Sequence, residues 1–543
     1  MSAAMVSSAA GAPQDAPPAR RGLHIFPRTP VGAVIAGATL LGLLLRVYQI
    51  TRPGVLLGVA WYDDGVYFAS ALRLVQGVVP YRDFVFAQPP GITLLLVPAA
   101  LLAKVTGTAW GMAVARILTL LASTAAVVLG GLLVRHRGLL AVTVTCGLLA
   151  VFPASVGDSR TIFLEPWVAL FCLAGALTVF DGDRLAGSGK RLFWAGVVFG
   201  FGGAIESFAI IPVLVVVALA LPRPRRAATY VGGVAAGFLV PVVPFVLPSP
   251  LGFYRSVFVA QLVRHGQIWV PDWVRLQQMA GLNYVVHPGH LLLLLVPLAV
   301  VGFVAVALTG AWVITRRPAP PLDWFAVATA ALTVVAFMWP PGFFFHFPGF
   351  LEPFVAMAIA LSASQLLDAV RSPAGRPATD RWSLWAAALA GLVIVVLAAI
   401  QANSEATLTP RVPSRSVAAV RRVIPPGACV LTDQASFTIA ADRFYSSVPG
   451  CSQMIDPLAV DYALSPGRDG LVGAGNVPAV AAVMWNAFHH AQYVWLAGIY
   501  NRRRIGWTPA LRAYLRRDFG RVLVDNRGDA LYARRGLLSL ARP

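Results

Sequence analysis

From residue 31 to residue 401 one apolar run of near-membrane length follows another, and short arginine-bearing loops separate them. A helix pairs all of its own backbone polar groups, so it is the open-chain structure that can cross hydrocarbon. About 20 apolar residues are needed for the roughly 30 Å of a bilayer core. With 58% hydrophobic and only 12% charged residues, the 543-residue chain is a polytopic membrane protein and not a string of soluble domains. The formal charge of +20 does not point to nucleic acid. The arginines cluster in the short loops, as cytoplasmic loops require.

That rule also orients the trace. Residues 1–29 are polar and Pro-rich, with Arg20, Arg21 and Arg28 ahead of the first span; they read as a disordered cytoplasmic tail. Span 1 (31–50) leads out to an outer loop, 51–90. The run 91–107 is short, contains Pro98 and ends near Lys104, so it is expected to lie along the outer face. Spans then follow at 109–134, 139–153 and 165–180, and 192–221 is a hairpin of two short spans broken near Glu206. The run continues at 229–247, 290–314, 322–340, 349–367 and 382–401, with a large outer loop at 249–289 and a short one at 341–348. Each predicted inner loop then carries Arg or Lys, and about eleven spans result.

The division expected is therefore the tail, a membrane domain at 30–402 with its first outer loop and interfacial helix at 51–108, and a soluble extracytoplasmic α/β domain at 403–543. In the last part, strands are expected at 428–432, 492–497, 521–525 and 530–533, and helices at 414–423, 476–490 and 508–518. Cys146 and Cys172 fall inside spans, whereas Cys429 and Cys451 lie where an oxidising compartment permits a disulfide. Trp485, Trp495 and Trp507 are available to pack a core or to stack on sugar.

The chemistry-bearing residues gather in the first outer loop. Residues 61–90 hold Asp63, Asp64 and Asp83 with Arg73 and Arg82, interleaved with Tyr62, Tyr67 and Tyr81, and end at Gln88-Pro89-Pro90. Adjacent acids on a helix point about 100° apart, so Asp63 and Asp64 cannot both face one ligand atom. One is expected to act as a base and the other to orient or to hold a metal. Arg160 and Glu165, where the second outer loop (155–164) meets the span 165–180, belong to the same membrane face. Arg116, inside the second span, needs an anionic partner, either one of these carboxylates or a substrate phosphate. Arg264, His265 and His346 are further outward donors, and Glu206-Ser207 caps the hairpin. Asp181-Gly182-Asp183 has a metal-binding spacing but falls in an inner loop, away from the other acids.

Tyr62-Asp63-Asp64 with Tyr67, the run Val79-Pro80-Tyr81-Arg82-Asp83 leading to Gln88-Pro89-Pro90, and Arg116 resemble the C-type (GT-C) membrane glycosyltransferases. The likeness, over roughly 50–370, is greatest to the protein O-mannosyltransferase and aminoarabinose-transferase branch. It implies a GT-C-like fold and transfer of a sugar from a polyprenyl-phosphate-linked donor to a glycan, lipid or protein acceptor outside the plasma membrane. It makes Asp63 the leading base, with Asp64 beside it, and Glu165 the second acid. Tyr62, Tyr67, Arg82, Gln88, Arg116, Arg160, Arg264 and His346 become candidates for binding substrate. It fixes no cofactor and leaves open a divalent metal ion, for which Asp64 and Glu165 are the candidate ligands. Gln88 stands where some relatives have a basic residue, and Glu206-Ser207 replaces a Lys-containing hairpin tip. The rival reading, a transporter or flippase of a lipid-linked saccharide, predicts midplane charges and inverted repeats.

Overall fold

The computed structural model describes residues 29–262, 270–282, 291–339, 342–371, 381–406, 414–465 and 473–539; the expected tail lies outside them. Among the described residues, seven helices are long and apolar enough to cross a membrane: Pro30–Ile50, Thr108–Arg137, Pro224–Val246, Leu291–Thr315, Pro321–Met338, Pro348–Arg371 and Arg381–Ala406. The chain is a multi-pass membrane protein. Each of the seven begins or ends within a few residues of a predicted span.

The remaining expected spans are shorter than drawn. Leu139–Val151 has 13 residues and Glu165–Val179 has 15, which at 1.5 Å per residue reach only about 20–23 Å. Phe152-Pro153 ends the first of these, and a six-residue helix, Pro153–Asp158, follows. The run 91–107 forms the helix Gly91–Thr106, a continuous helix despite Pro98.

The hairpin is made of Gly189–Gly203 and Ile210–Ala220, with Glu206 in extended conformation at the break. Gly189–Gly203 lies against Pro224–Val246 through two matched glycine pairs. A methyl at Gly196 or Gly200 would overlap the backbone of Tyr230 and Val234, and one at Gly233 or Gly237 that of Phe193 and Val197. Small residues four apart bring the two backbones into direct contact, as membrane helices without a hydrophobic driving force require.

Residues 414–539 build a four-stranded mixed sheet. Val430–Thr432 runs parallel to Tyr493–Leu496, with Val430 opposite Tyr493. Ala530–Arg534 pairs antiparallel on the far side of Tyr493–Leu496, and Phe519–Val524 completes the sheet with an irregularity between Arg521 and Leu523. The helices Ser414–Val423, Pro478–His490 and Pro509–Asp518 occupy the expected stretches, and Ala435–Ala440 and Pro457–Leu464 are additional. Cys429 and Cys451 form a disulfide. Trp495 is buried against Phe437, and Trp485 packs edge-on to Tyr514, so both serve packing. Trp507 donates from its indole to the Asn501 carbonyl at 3.1 Å.

This unit is seated on the first outer loop and not held away from it. Ala109 N–H donates to Asp442 at 2.8 Å, Thr108 Oγ1 to the Ile439 carbonyl at 2.8 Å, and Arg73 to the Gln453 carbonyl at 2.7 Å.

Candidate active site where three loops meet

Asp63 and Asp64 open the helix Tyr62–Leu74, where the helix dipole favours negative charge. Their predicted divergence is realised. Asp63 is partly exposed, whereas Asp64 turns inward and is fully buried. The partner of Asp64 is Arg116, also fully buried, on the helix Thr108–Val134. Arg116 donates to both carboxylate oxygens and, through Nη1, to the carbonyls of Val55, Leu56 and Gly58 at 2.6–3.0 Å. Asp64 also accepts from the Ile162 N–H at 3.2 Å. The pair thus ties the first outer loop to both the second helix and the second outer loop.

Of the two partners expected for Arg116, a carboxylate or a substrate phosphate, the described residues supply the carboxylate, and all three guanidinium nitrogens are engaged by Asp64 and backbone carbonyls.

Glu165 begins its helix as expected and is 3% exposed. Its Oε1 lies 2.7 Å from Nδ1 of His346, and its Oε2 is buried with no partner among the described residues. His346 belongs to the turn before Pro348–Arg371 and stacks on Phe163 of the second outer loop, with ring centroids 4.4 Å apart. Phe345 packs on Trp61, centroids 4.6 Å apart. Trp61, Phe163 and Phe345 therefore staple the three loops into one aromatic wall. Gly349 permits this approach, because a side chain there would run into the Asp158 carboxylate and the Glu165 side chain.

Burial pushes the His346 imidazole towards its neutral form. The Glu165 carboxylate outweighs burial by charge and hydrogen bond, and Asp63 and Glu206 add to it, so its pKa lies above the ordinary histidine value. Asp63, Glu165, Glu206 and His346 thus share one electrostatic neighbourhood. The hairpin tip is brought there by Gly91, whose N–H donates to the Ala204 carbonyl at 2.7 Å and where a Cβ would overlap that carbonyl.

Gln88 is buried, with Gln261 Nε2 at 3.5 Å from its Oε1 and at 2.9 Å from the Ala87 carbonyl. Tyr67 is buried, and Tyr62 donates from its hydroxyl to Asp456 at 2.8 Å. Arg82 is exposed and forks onto its neighbour Asp83 at 2.8–2.9 Å. Arg160 turns away from Glu165 to Glu405, 3.9 Å off at the end of Arg381–Ala406, because an acid buried there needs its charge. Arg264 and His265 lie outside the described residues. Asp181 and Asp183 belong to an ion-pair cluster with Arg191, His136 and Arg137 and hold loops together.

Among the described residues no group of three or more His, Cys, Asp or Glu side chains is arranged to hold a metal ion. Of the pair expected to hold a metal, Asp64 is tied to Arg116 and Glu165 to His346. Sequence reasoning passed over Trp61, Phe163, Asp158 and Asp456. Glu206 was legible as the polar break in an apolar hairpin, but not its nearness to His346.

The bundle with its broken hairpin, its acid-bearing loop and the sheet unit seated on that loop form a fold shared with solved transferases. Aminoarabinose transferase ArnT from Cupriavidus metallidurans, solved bound to undecaprenyl phosphate, matches with a TM-score of 0.57 at 15% identity, over 94% of this chain and 99% of that one. The oligosaccharyltransferase AglB from Archaeoglobus fulgidus, in complex with an inhibitory peptide and a dolichol-phosphate, gives 0.51 at 15% identity over 93% of this chain and 74% of that one. The same oligosaccharyltransferase is also known in complex with Zn and sulfate. No family model and no curated protein matches the chain. At such identity the likeness is one of fold.

Proposed function

We propose that this protein transfers a sugar from a polyprenyl-phosphate carrier to an acceptor hydroxyl, with inversion, at the outer face of the plasma membrane. The observation that carries the reading is the Glu165–His346 pair with Asp63 in its field, at the meeting point of three loops in this fold. About eleven crossings, a cytoplasmic N-terminus and an extracytoplasmic C-terminal unit complete the picture, with cell-envelope glycan assembly as the setting.

The chemistry asks little of the protein beyond position and charge. The acceptor oxygen bonds to the anomeric carbon as that carbon's bond to the phosphate oxygen breaks. Such displacements pass through an oxocarbenium-like state, so a carboxylate of ordinary basicity suffices to take the hydroxyl proton as it is released. Asp63, partly exposed beside its buried neighbour, is that base. The carrier leaves as polyprenyl phosphate with one more negative charge than it had in the donor. The imidazolium of His346, held by Glu165, is the cation suited to meet that charge. Gln88, at the Pro-Pro entry of the interfacial helix, is a neutral donor for the same phosphate. The fold relatives with bound undecaprenyl and dolichol phosphates support a carrier of that class.

The test is Asp63→Asn in the full-length protein, with sugar transfer and expression measured together. Transfer by a normally expressed D63N variant refutes the reading. Mass spectrometry of copurifying lipid checks the donor, where a polyprenyl phosphate or its glycoside is expected.

A further inference from the structure

The helix carrying Asp63 begins without a cap of its own. Trp61 stands at the N-cap position and offers no side-chain hydrogen bond, so the first turn lacks the usual means of fixing its orphan N–H groups. Besides the Asp64–Arg116 pair, the contacts that hold that turn come from the other end of the chain. Gln434 Nε2 donates to the Trp61 carbonyl at 3.3 Å, and the Tyr62 hydroxyl donates to Asp456. The Arg504 guanidinium lies 4.4 Å over the Tyr62 ring. On the other side of the acids, Gly65 abuts the Ser436 backbone so closely that no Cβ would fit.

Arg504 is the hub of this clamp. It is 7% exposed, and its Nη1 donates to Gln434 Oε1 at 2.8 Å and lies 3.6 Å from the buried Asp433 carboxylate. Asp433 in turn accepts from the Ala497 N–H at 2.7 Å, next to the strand Tyr493–Leu496. A continuous path of polar contacts thus runs from the sheet, through Asp433, Arg504 and Gln434, to the residues immediately before Asp63.

We propose that Arg504 is a positioning residue for Asp63, through which the C-terminal sheet unit sets the aim of the base. The inference rests on the reading of Asp63 as base. Arg504 reaches the reaction only through Tyr62 and Gln434. A first turn without a side-chain cap depends on such outside contacts for the placement of Asp63, and small misplacement of a catalytic group costs rate out of proportion to stability. Buried, forked arginines suit such a hub, because the planar guanidinium donates in one direction while its face covers an aromatic ring.

The experiment uses the full-length protein in nanodiscs, as wild type, Arg504→Gln, Arg504→Lys and Tyr62→Phe. Hydrogen exchange of peptides covering 61–68 is measured beside peptides from 116–134 and 430–432. Turnover is followed on a panel of undecaprenyl-phosphate-linked hexoses and pentoses. For Arg504→Gln, exchange over 61–68 is expected to rise at least about tenfold with the other peptides unchanged. The kcat is expected to fall about 10- to 100-fold with donor KM unchanged. Arg504→Lys, which keeps the cation over the ring, recovers part of both. Tyr62→Phe keeps the ring under Arg504 and loses only the Asp456 bond, so it supplies the same readout should Arg504→Gln not fold, with a smaller rise in exchange. Unchanged protection over 61–68, or a raised donor KM at constant kcat, overturns the proposal. The exchange readout stands apart from the functional reading, which falls separately if Asp63→Asn still transfers sugar.

Discussion

Two buried ion pairs lie a short way apart in this protein and are built to opposite plans. Arg116 and Asp64 are complete: the guanidinium has a carboxylate and three carbonyls, and the carboxylate has the guanidinium and a backbone N–H. Glu165 and His346 share one hydrogen bond, and the second oxygen of the acid has no hydrogen-bond partner among the described residues. A complete pair has nothing to offer a ligand, and its value is architectural. An incomplete one at equal depth stays costly until something supplies what is missing. Asp63 and Asp64 differ too, the first being partly exposed and the second fully buried in the complete pair.

The largest effect that separates the two plans is on rate. Asp63→Asn preserves shape and removes the base, and transfer is expected to drop about 10²- to 10⁴-fold with thermal stability unchanged. Next comes Arg116→Ala, which strands the Asp64 charge in the interior and is expected to cost about 3–5 kcal/mol of stability. Its signature is a lower unfolding temperature in detergent and reduced yield. If R116A is as stable as wild type yet slow, the pair belongs to the chemistry and the comparison fails.

The disulfide is a control that touches neither pair. It closes a loop with a sequence separation of 22, worth about 3 kcal/mol on the chain-entropy view. The Cys429→Ser, Cys451→Ser double variant is expected to lower the unfolding temperature of the C-terminal unit by that measure. Unfolding of the membrane helices, followed by exchange over 116–134, is expected to stay as it is.

How much of this can be read without coordinates follows from the range of each interaction. The spans come from local hydropathy, and Pro30–Ile50 and Pro321–Met338 fall where the apolar runs do. The split between Asp63 and Asp64 follows from helical phase, but which of them is buried depends on Arg116, 52 residues away. His346 sits among phenylalanines and resembles a packing residue until Glu165, 181 residues earlier, is seen beside it. Arg160 shows the converse, since proximity in sequence to Glu165 loses to the buried charge of Glu405. The contacts of Tyr62 with Asp456 and of Trp61 with Gln434 span 394 and 373 residues. No periodicity or composition encodes such pairings, because they belong to the docking of two units.

The smallest effect is the one that reads the incomplete pair most directly. The pKa of His346 is raised in the folded protein, so its proton contributes stability that is fully present below the unfolded value of about 6.5. That stability is lost as pH rises through the folded pKa. The stability difference between wild type and His346→Gln is therefore expected to be greatest on the acid side of pH 6.5 and to shrink above the folded pKa, as unfolding temperatures across the series would record. If the same proton meets the departing phosphate, the rate of the wild type falls along that alkaline limb. H346Q would lose the limb while slowing transfer about 10- to 100-fold, the worth of a hydrogen bond to a charged group. Glu165→Gln removes the partner that holds the proton in place and shifts the limb to lower pH without abolishing it. A limb that survives His346→Gln unchanged would assign the titration to another group and leave Glu165–His346 as architectural as its neighbour.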